Sequence, residues 1–185
     1  MIRSVLLVLL FSSAASSTIS AQSPTDGRIE GGAYVNSYFH VAYAWPKILQ
    51  PYDTTALRFA QHAPNSYEFL LFSAREGAQP HGVVMIAEKL NVPTPHTSGI
   101  KDARDFLSKV EKFRPEQHAV IQSKKHFTNG DGLVFDELDY TDNGIPSSAM
   151  VTQAGQFLIV FKCDAGSATD LALMTNSVAA MRRSK

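Results

Sequence analysis

Gln156-Phe157-Leu158-Ile159-Val160-Phe161-Lys162-Cys163 is the stretch that decides the fold. Phe157 to Phe161 is apolar at every position, so a strand there has no face to give to water and must be covered on both sides. Upstream, Ala119–His126, Leu133–Tyr140 and a shorter piece near Ala149–Thr152 are strand-like. They are separated by Asn129-Gly130, Asn143-Gly144 and Ala154-Gly155, residues that tolerate positive φ in tight turns. This spacing predicts four antiparallel strands in sequence order. Downstream, Ser167 and Asp170 form a capping-box pattern, and Leu171, Met174, Val178 and Met181 line one face of a closing helix, with Arg182 and Arg183 near its negative end. An antiparallel sheet with helices packed on it, α+β, satisfies all of these constraints.

The first half of the domain adds to the same sheet. Phe39, Val41, Tyr43 and Trp45 alternate with His40, Ala42 and Ala44 up to Pro46, the period of a half-buried strand, and Ala33–Asn36 is placed to pair with it. The alternation predicts that His40 points away from the aromatic face. Asp53 and Thr54 are positioned to cap a short helix within Leu49–His62. Tyr67–Ala74 and Gly82–Lys89 read as a hairpin joined through Gly77, Pro80 and His81. After the Pro93 and Pro95 segment, Ser98 is placed to cap a helix whose apolar stripe is Ala103, Phe106, Leu107, Val110 and Phe113.

Three segments carry a likeness to a known family. Gly32-Ala33-Tyr34-Val35-Asn36-Ser37-Tyr38-Phe39-His40-Val41-Ala42-Tyr43-Ala44-Trp45-Pro46 is a Tyr/Asn strand followed by an aromatic strand ending in Pro; Gly155–Phe161 is a last strand, and Ala168–Met181 a final helix. In these segments and in element order the chain resembles the PsbP-like superfamily, which includes the Mog and DcrB/LpqN groups. It departs just after Pro46, where many relatives place a Trp and this chain has Lys47-Ile48-Leu49. The resemblance implies a PsbP-like α/β/α sandwich. It also implies a small accessory or binding module, in the company of extrinsic photosystem II subunits, a Ran-binding protein and exported bacterial proteins. It implies no cofactor and no catalytic residue that carries over.

The N-terminus bears on location. Arg3, the apolar block Val5–Phe11 and the small, hydroxyl-rich run Ser12–Ala21 follow the order of a secretory signal peptide, and the block is far shorter than the roughly 20 residues of a membrane span. Residues 1–21 are thus expected to be a signal peptide, 22–31 a flexible lead-in and 32–185 a single domain. Removing 21 of 185 residues leaves 164, and the loss of Arg3 changes 17 basic and 17 acidic residues to 16 and 17, a net charge of −1. That balance offers nothing to nucleic acid or an anionic membrane surface, which call for a basic excess. One cysteine, Cys163, forbids an intrachain disulfide and reads as an inert core thiol. With no glycosylation sequon in the mature part, a bacterial periplasmic or extracellular setting is favoured.

The residues of chemistry are few. The histidines His40, His62, His81, His96, His118 and His126 include no helical i, i+4 ligand pair and no Cys partner, so no zinc motif is present. His81 and His96, in turn-rich loops, are the histidines freest to contact a ligand. Asp131, Asp136, Glu137, Asp139 and Asp142 fail the spacing of a calcium loop. Asp136 shares a strand face with Val134, Leu138 and Tyr140, so its carboxylate is hydrogen-bonded, exposed at an uncovered patch or lining a ligand cavity. Nucleophile elbow, phosphate loop and dinucleotide fingerprint are all absent. The aromatic set Tyr34, Tyr38, Phe39, Tyr43 and Trp45 reads as core, with a ligand platform as its rival. The expectation is an exported, monomeric, non-catalytic module binding an unidentified protein or small ligand. The alternative is a hydrolase or metal-dependent enzyme assembled from loop residues such as His81, His96 and Asp136.

Overall fold

The computed structural model describes residues 23–53, 67–92, 99–113 and 119–184. Within them the strands are β1 (Arg28–Glu30), β2 (Ala33–Asn36), β3 (Val41–Tyr43), β4 (Gln50–Pro51), β5 (Glu68–Arg75) and β6 (Gly82–Lys89), then, after helix α1 (Ala103–Phe113), β7 (Ala119–Thr128), β8 (Val134–Asp142), β9 (Ile145–Ala154) and β10 (Phe157–Asp164). Helix α2 (Ala168–Ala179) and β11 (Arg182–Arg183) follow. A seven-stranded sheet runs β4-β5-β6-β10-β9-β8-β7 and a four-stranded one β1-β2-β3-β11. Every neighbouring pair is antiparallel.

The all-apolar strand sits at the centre of the large sheet, and each of its faces is buried under a different roof. Phe157, Ile159, Phe161 and Cys163 pack with Phe72, Met85, Phe135 and Met150 beneath α2 and the small sheet, which contribute Met174, Val178, Tyr34, Val41 and Tyr43. Leu158 and Val160 face the other way, into Leu138, Tyr140 and Val151 beneath Ala103, Phe106 and Leu107 of α1. The aromatic set is core: Tyr43 lies 5.2 Å from Phe161 and Trp45 stacks on Phe72 at 5.0 Å between ring centroids. The Tyr43 hydroxyl meets Ser177 Oγ at 3.1 Å, and burial pushes the phenol pKa up, so it stays neutral.

Several local expectations are corrected. Part of the stretch read as a lead-in is folded, because β1 pairs with β2 and Asn36 Nδ2 donates to Pro24 O at 2.8 Å. Within Leu49–His62, Leu49 is buried and Gln50–Pro51 is an edge strand on β5 rather than helix; residues 54–66 lie outside the described region. Helix α1 is capped by Asp102, whose Oδ1 accepts from Asp105 N at 2.9 Å, one turn from where Ser98 had been expected to act; Ser98 is outside the described residues. His40 is not on a strand: it has φ 53 in the turn before β3. Ser167 caps α2 as its sequence implies, accepting from Asp170 N.

The turns follow their glycines except at one place. Asn143 and Gly144 adopt φ 50 and 83, the left-handed pair of a tight hairpin. Between β7 and β8, however, Gly132 takes the positive φ of 73 and Asn129 is occupied elsewhere. Its Nδ2 donates to Ala179 O (3.0 Å) and Met181 O (2.8 Å), while its Oδ1 accepts from Asp131 N and Leu133 N, both at 3.0 Å. Asp131 Oδ2 accepts from Arg183 N at 2.9 Å. The loop therefore grips the end of α2 and turns Arg182 and Arg183 into β11, where a dipole interaction with the helix end had been the expectation. Asn129→Ala removes all four bonds and should cost about 1–3 kcal/mol in urea unfolding; an unchanged midpoint would show that the grip is incidental.

One buried acid lies under α1. Glu88 is 8% exposed and sits directly opposite Glu68 in the β5–β6 register. Burial first, and Glu68 second, raise its pKa from 4.5 to about 7, against the pull of Lys109. The folded chain therefore holds a proton between pH 4.5 and 7 that the unfolded chain has released, and stability falls as pH rises through that window. Glu88→Gln should be more stable than the parent by on the order of 2 kcal/mol at pH 8 and close to it at pH 4, as read from denaturation at both pH values.

Candidate functional site

Asp136 enters from β8 on the α1 side of the sheet, just past the point where α1 covers Leu138. Across the β7–β8 pairing it stands opposite His126, whose Nδ1 lies 2.9 Å from Asp136 Oδ1. Arg104, in the first turn of α1, brings Nε to 3.7 Å from the same oxygen. The side chain of Asp136 is 14% exposed, whereas those of Arg104 and His126 are 69% and 52% exposed, so a mostly covered carboxylate is bridged by a guanidinium and an imidazole standing in water. Of the three situations open to Asp136, the structure shows the hydrogen-bonded one, at the wall of a cavity.

That cavity is a polar cleft of about 580 Å³ reaching from Asp102 and Arg104 past Val134 and Gln153 to Arg183. On the other side of the Arg104–Asp136–His126 bridge a shallower groove of about 320 Å³ runs along Ser108 and Glu111 of α1. Its outer wall is tied by Lys124 Nζ to Glu111 Oε2 at 2.6 Å. Exposed ion pairs of this kind exchange readily with a charged partner, because each is worth little on its own. Among the described residues no hydroxyl or thiol is hydrogen-bonded to His126, and no group of three His, Cys, Asp or Glu side chains is placed to hold a metal ion.

The remaining acids divide between two faces of the same strand. Glu137 and Asp139 point away from Asp136, to the α2 side, where Lys125 Nζ donates to Glu137 Oε1 (2.9 Å) and Asp139 Oδ2 (2.8 Å), and Ser123 Oγ donates to Asp139 (2.7 Å). Burial raises the Glu137 pKa. Burial also opposes the charged forms of Lys125 and Asp139, but their hydrogen bonds outweigh it, so Lys125 stays above and Asp139 below its ordinary value. Cys163 is fully buried near these acids; burial pushes its thiol pKa far up and leaves it unreactive.

His81 is elsewhere. Its ring lies against Gly166 at the start of β6, in the row of Gly82, Asp164, Ser147 and Tyr140. Three strand spacings and about five residues separate it from Asp136, about 20 Å. The structure does not bring these two together, and His96, His62 and His118 lie outside the described residues. Sequence reasoning missed the partnership of Arg104 and His126 with Asp136. The β7–β8 connection spans 129–133, and that length fixes the register: a tight Asn129-Gly130 turn would have set His126 opposite Leu133 instead. Asp136→Asn should lower stability by about 1 kcal/mol or less, whereas Lys125→Met, which leaves Glu137 and Asp139 facing each other, should cost about 2 kcal/mol or more. Parallel urea melts that gave the reverse order would make Asp136 a structural group.

No protein-family model matches the sequence, and no curated protein does. Among solved structures, the solution structure of cyanobacterial PsbP (CyanoP) from Synechocystis sp. PCC 6803 is similar, with a TM-score of 0.55 at 16% identity, covering 85% of this chain and 98% of that one. At that identity the similarity speaks to architecture: the chain has the PsbP-like fold.

Proposed function

We propose that this chain is an exported, non-catalytic binding module of the cell envelope, with the cleft around Asp136 as its working surface. The observation that carries the reading is the Arg104–Asp136–His126 bridge, in which a covered carboxylate anchors an exposed guanidinium and an exposed imidazole at the mouth of an open polar cleft. Such an arrangement offers both signs of charge to a partner, which favours register and specificity over raw affinity. Arg104 can trade Asp136 for a partner's carboxylate without disturbing the core. The PsbP-like fold supports an accessory role, and the charge pattern of residues 1–21 supports export. No helix among the described residues is long and apolar enough to cross a membrane.

The test is to isolate the protein from its natural compartment, compare native with denatured mass spectra, and crosslink it there. The expected result is a partner or ligand mass lost on denaturation or captured by crosslinking, with the yield reduced severalfold by Arg104→Ala or Asp136→Asn. A purified protein that turns over a substrate, and loses that activity on a single polar substitution, would defeat the non-catalytic reading and return the argument to His81, His96 and Asp136.

A further inference from the structure

A second cavity, of about 510 Å³, adjoins the Asp136 cleft along Leu133, Thr152, Gln153 and Arg183 and runs from there between the Ser37–His40 turn and the β9–β10 hairpin. Its floor is apolar: Leu133, Phe157 and Ile159 are all buried. The floor is also fixed in place, since Phe157 meets Phe39 edge-on at 5.3 Å and Tyr38 at 5.8 Å. A preformed apolar cavity of this size suits a small organic ligand oriented by a few polar groups.

Three such groups are present. Thr152, 2% exposed, lines the cavity between Phe135 and Ile159 in register and brings a hydroxyl to its wall. Arg183 stands at the rim with Nε donating to Asp131 O (3.1 Å) and Nη2 to Gly132 O (3.5 Å). Both acceptors are neutral carbonyls, so the guanidinium is oriented without an ion pair of its own. His40, also at the rim, is held at φ 53 with its carbonyl accepting from Ser184 N at 2.9 Å. A non-glycine residue in that region is uncommon and gathers where a binding surface is being shaped. No Asp or Glu lines the cavity itself, and the Asp131 carboxylate beside the rim is taken up by the Arg183 backbone N–H, leaving the guanidinium bonded to carbonyls alone.

We propose that this groove binds a small organic carboxylate with a hydrophobic body, the body on Phe157, Ile159 and Leu133, an oxygen at the Thr152 hydroxyl and the carboxylate at Arg183 and His40. The proposal rests on the reading of the chain as a binding module and supplies a ligand class for a groove that meets the Asp136 cleft at Thr152 and Arg183. Rim donors held by the fold would select an acid over its neutral counterpart through charge-assisted hydrogen bonds.

The test is an amide NMR titration of the exported protein with octanoate and 1-naphthylacetate, each beside the alcohol of the same body. Either acid should bind with a Kd of about 1 mM or tighter, which matches the efficiency of ligands of this size. Shifts should centre on Tyr38, Val41, Gln156 and Ile159, which the Asp136 cleft does not share, and the alcohols should bind about tenfold more weakly. Octanoate preferred over the naphthyl acid would name fatty acids as the source, and the reverse would name aromatic acids; both support the groove. Arg183→Gln should abolish the preference for acid. Thr152→Val, nearly isosteric and away from the β11 grip, should weaken binding about threefold in a protein that folds as the parent does. Equal binding of acid and alcohol, shifts centred on the Asp136 cleft, or unchanged binding in both variants would overturn the proposal, as would no binding by either acid. Partner capture through Asp136 would survive any of those results, and turnover of the bound acid would instead overturn the non-catalytic reading while leaving the groove in place.

Discussion

Burial of β10 on both faces is the constraint to which the rest of the structure answers. A strand with Phe157, Ile159 and Phe161 on one side and Leu158 and Val160 on the other cannot sit at an edge or under one roof. It takes the centre of a seven-stranded sheet and calls for cover twice, from α1 above one face and from α2 with the small sheet above the other. The cover on the α2 side is the thicker. Tyr34, Tyr43 and Phe72 form a run of ring contacts there, and the buried Tyr43 hydroxyl settles on Ser177 of α2 itself. The helix and the small sheet are thereby fixed to each other as well as to the sheet beneath.

Where two faces of one strand are both covered only in part, polar chemistry collects. At β8, Asp136 looks toward α1 and Glu137 and Asp139 look toward α2, each leaning on a side chain from β7, His126 for the first and Lys125 for the other two. The two sets behave differently because their surroundings differ. Glu137 is almost wholly covered and shares one lysine with Asp139, a group whose loss would leave charge stranded. Asp136 faces an open cleft, and its partners keep most of their surface in water. The first set closes the outer face of the sheet edge, and the second lines an open cleft.

The sequence made the hydrophobic architecture legible and left the polar partnerships hidden. The unbroken apolar run of Phe157–Phe161 and the Ser167–Asp170 cap speak through a local period or spacing and stand where it puts them, whereas the alternation read over Phe39–Trp45 yields a strand only at Val41–Tyr43, with His40 in the turn before it. The edge strand Gln50–Pro51 was not legible, because two residues carry no period and its only reason for being a strand is β5 beside it. Asn129 reads as a turn former and serves instead as a grip on the chain 50 residues away, an outcome only tertiary placement decides. The Asp136 bridge needed the hairpin register, and the register needed a loop length that Asn129-Gly130 misstates. The groove lined by Thr152 joins a turn near residue 40 to a hairpin near 155 and a rim at 183, a convergence no local pattern announces.

The small sheet has a consequence for the order in which the molecule can be completed. Its first three strands are neighbours in sequence, but its fourth, Arg182–Arg183, lies about 140 residues on and pairs with β3 in the register Arg182 to Ala42 and Arg183 to Val41. Until residues 182 and 183 arrive, β3 therefore keeps one edge unpaired. The small sheet is closed by a contact across about 140 residues, so a local hairpin waits on one of the longest-range pairings in the fold before the roof over β10 locks.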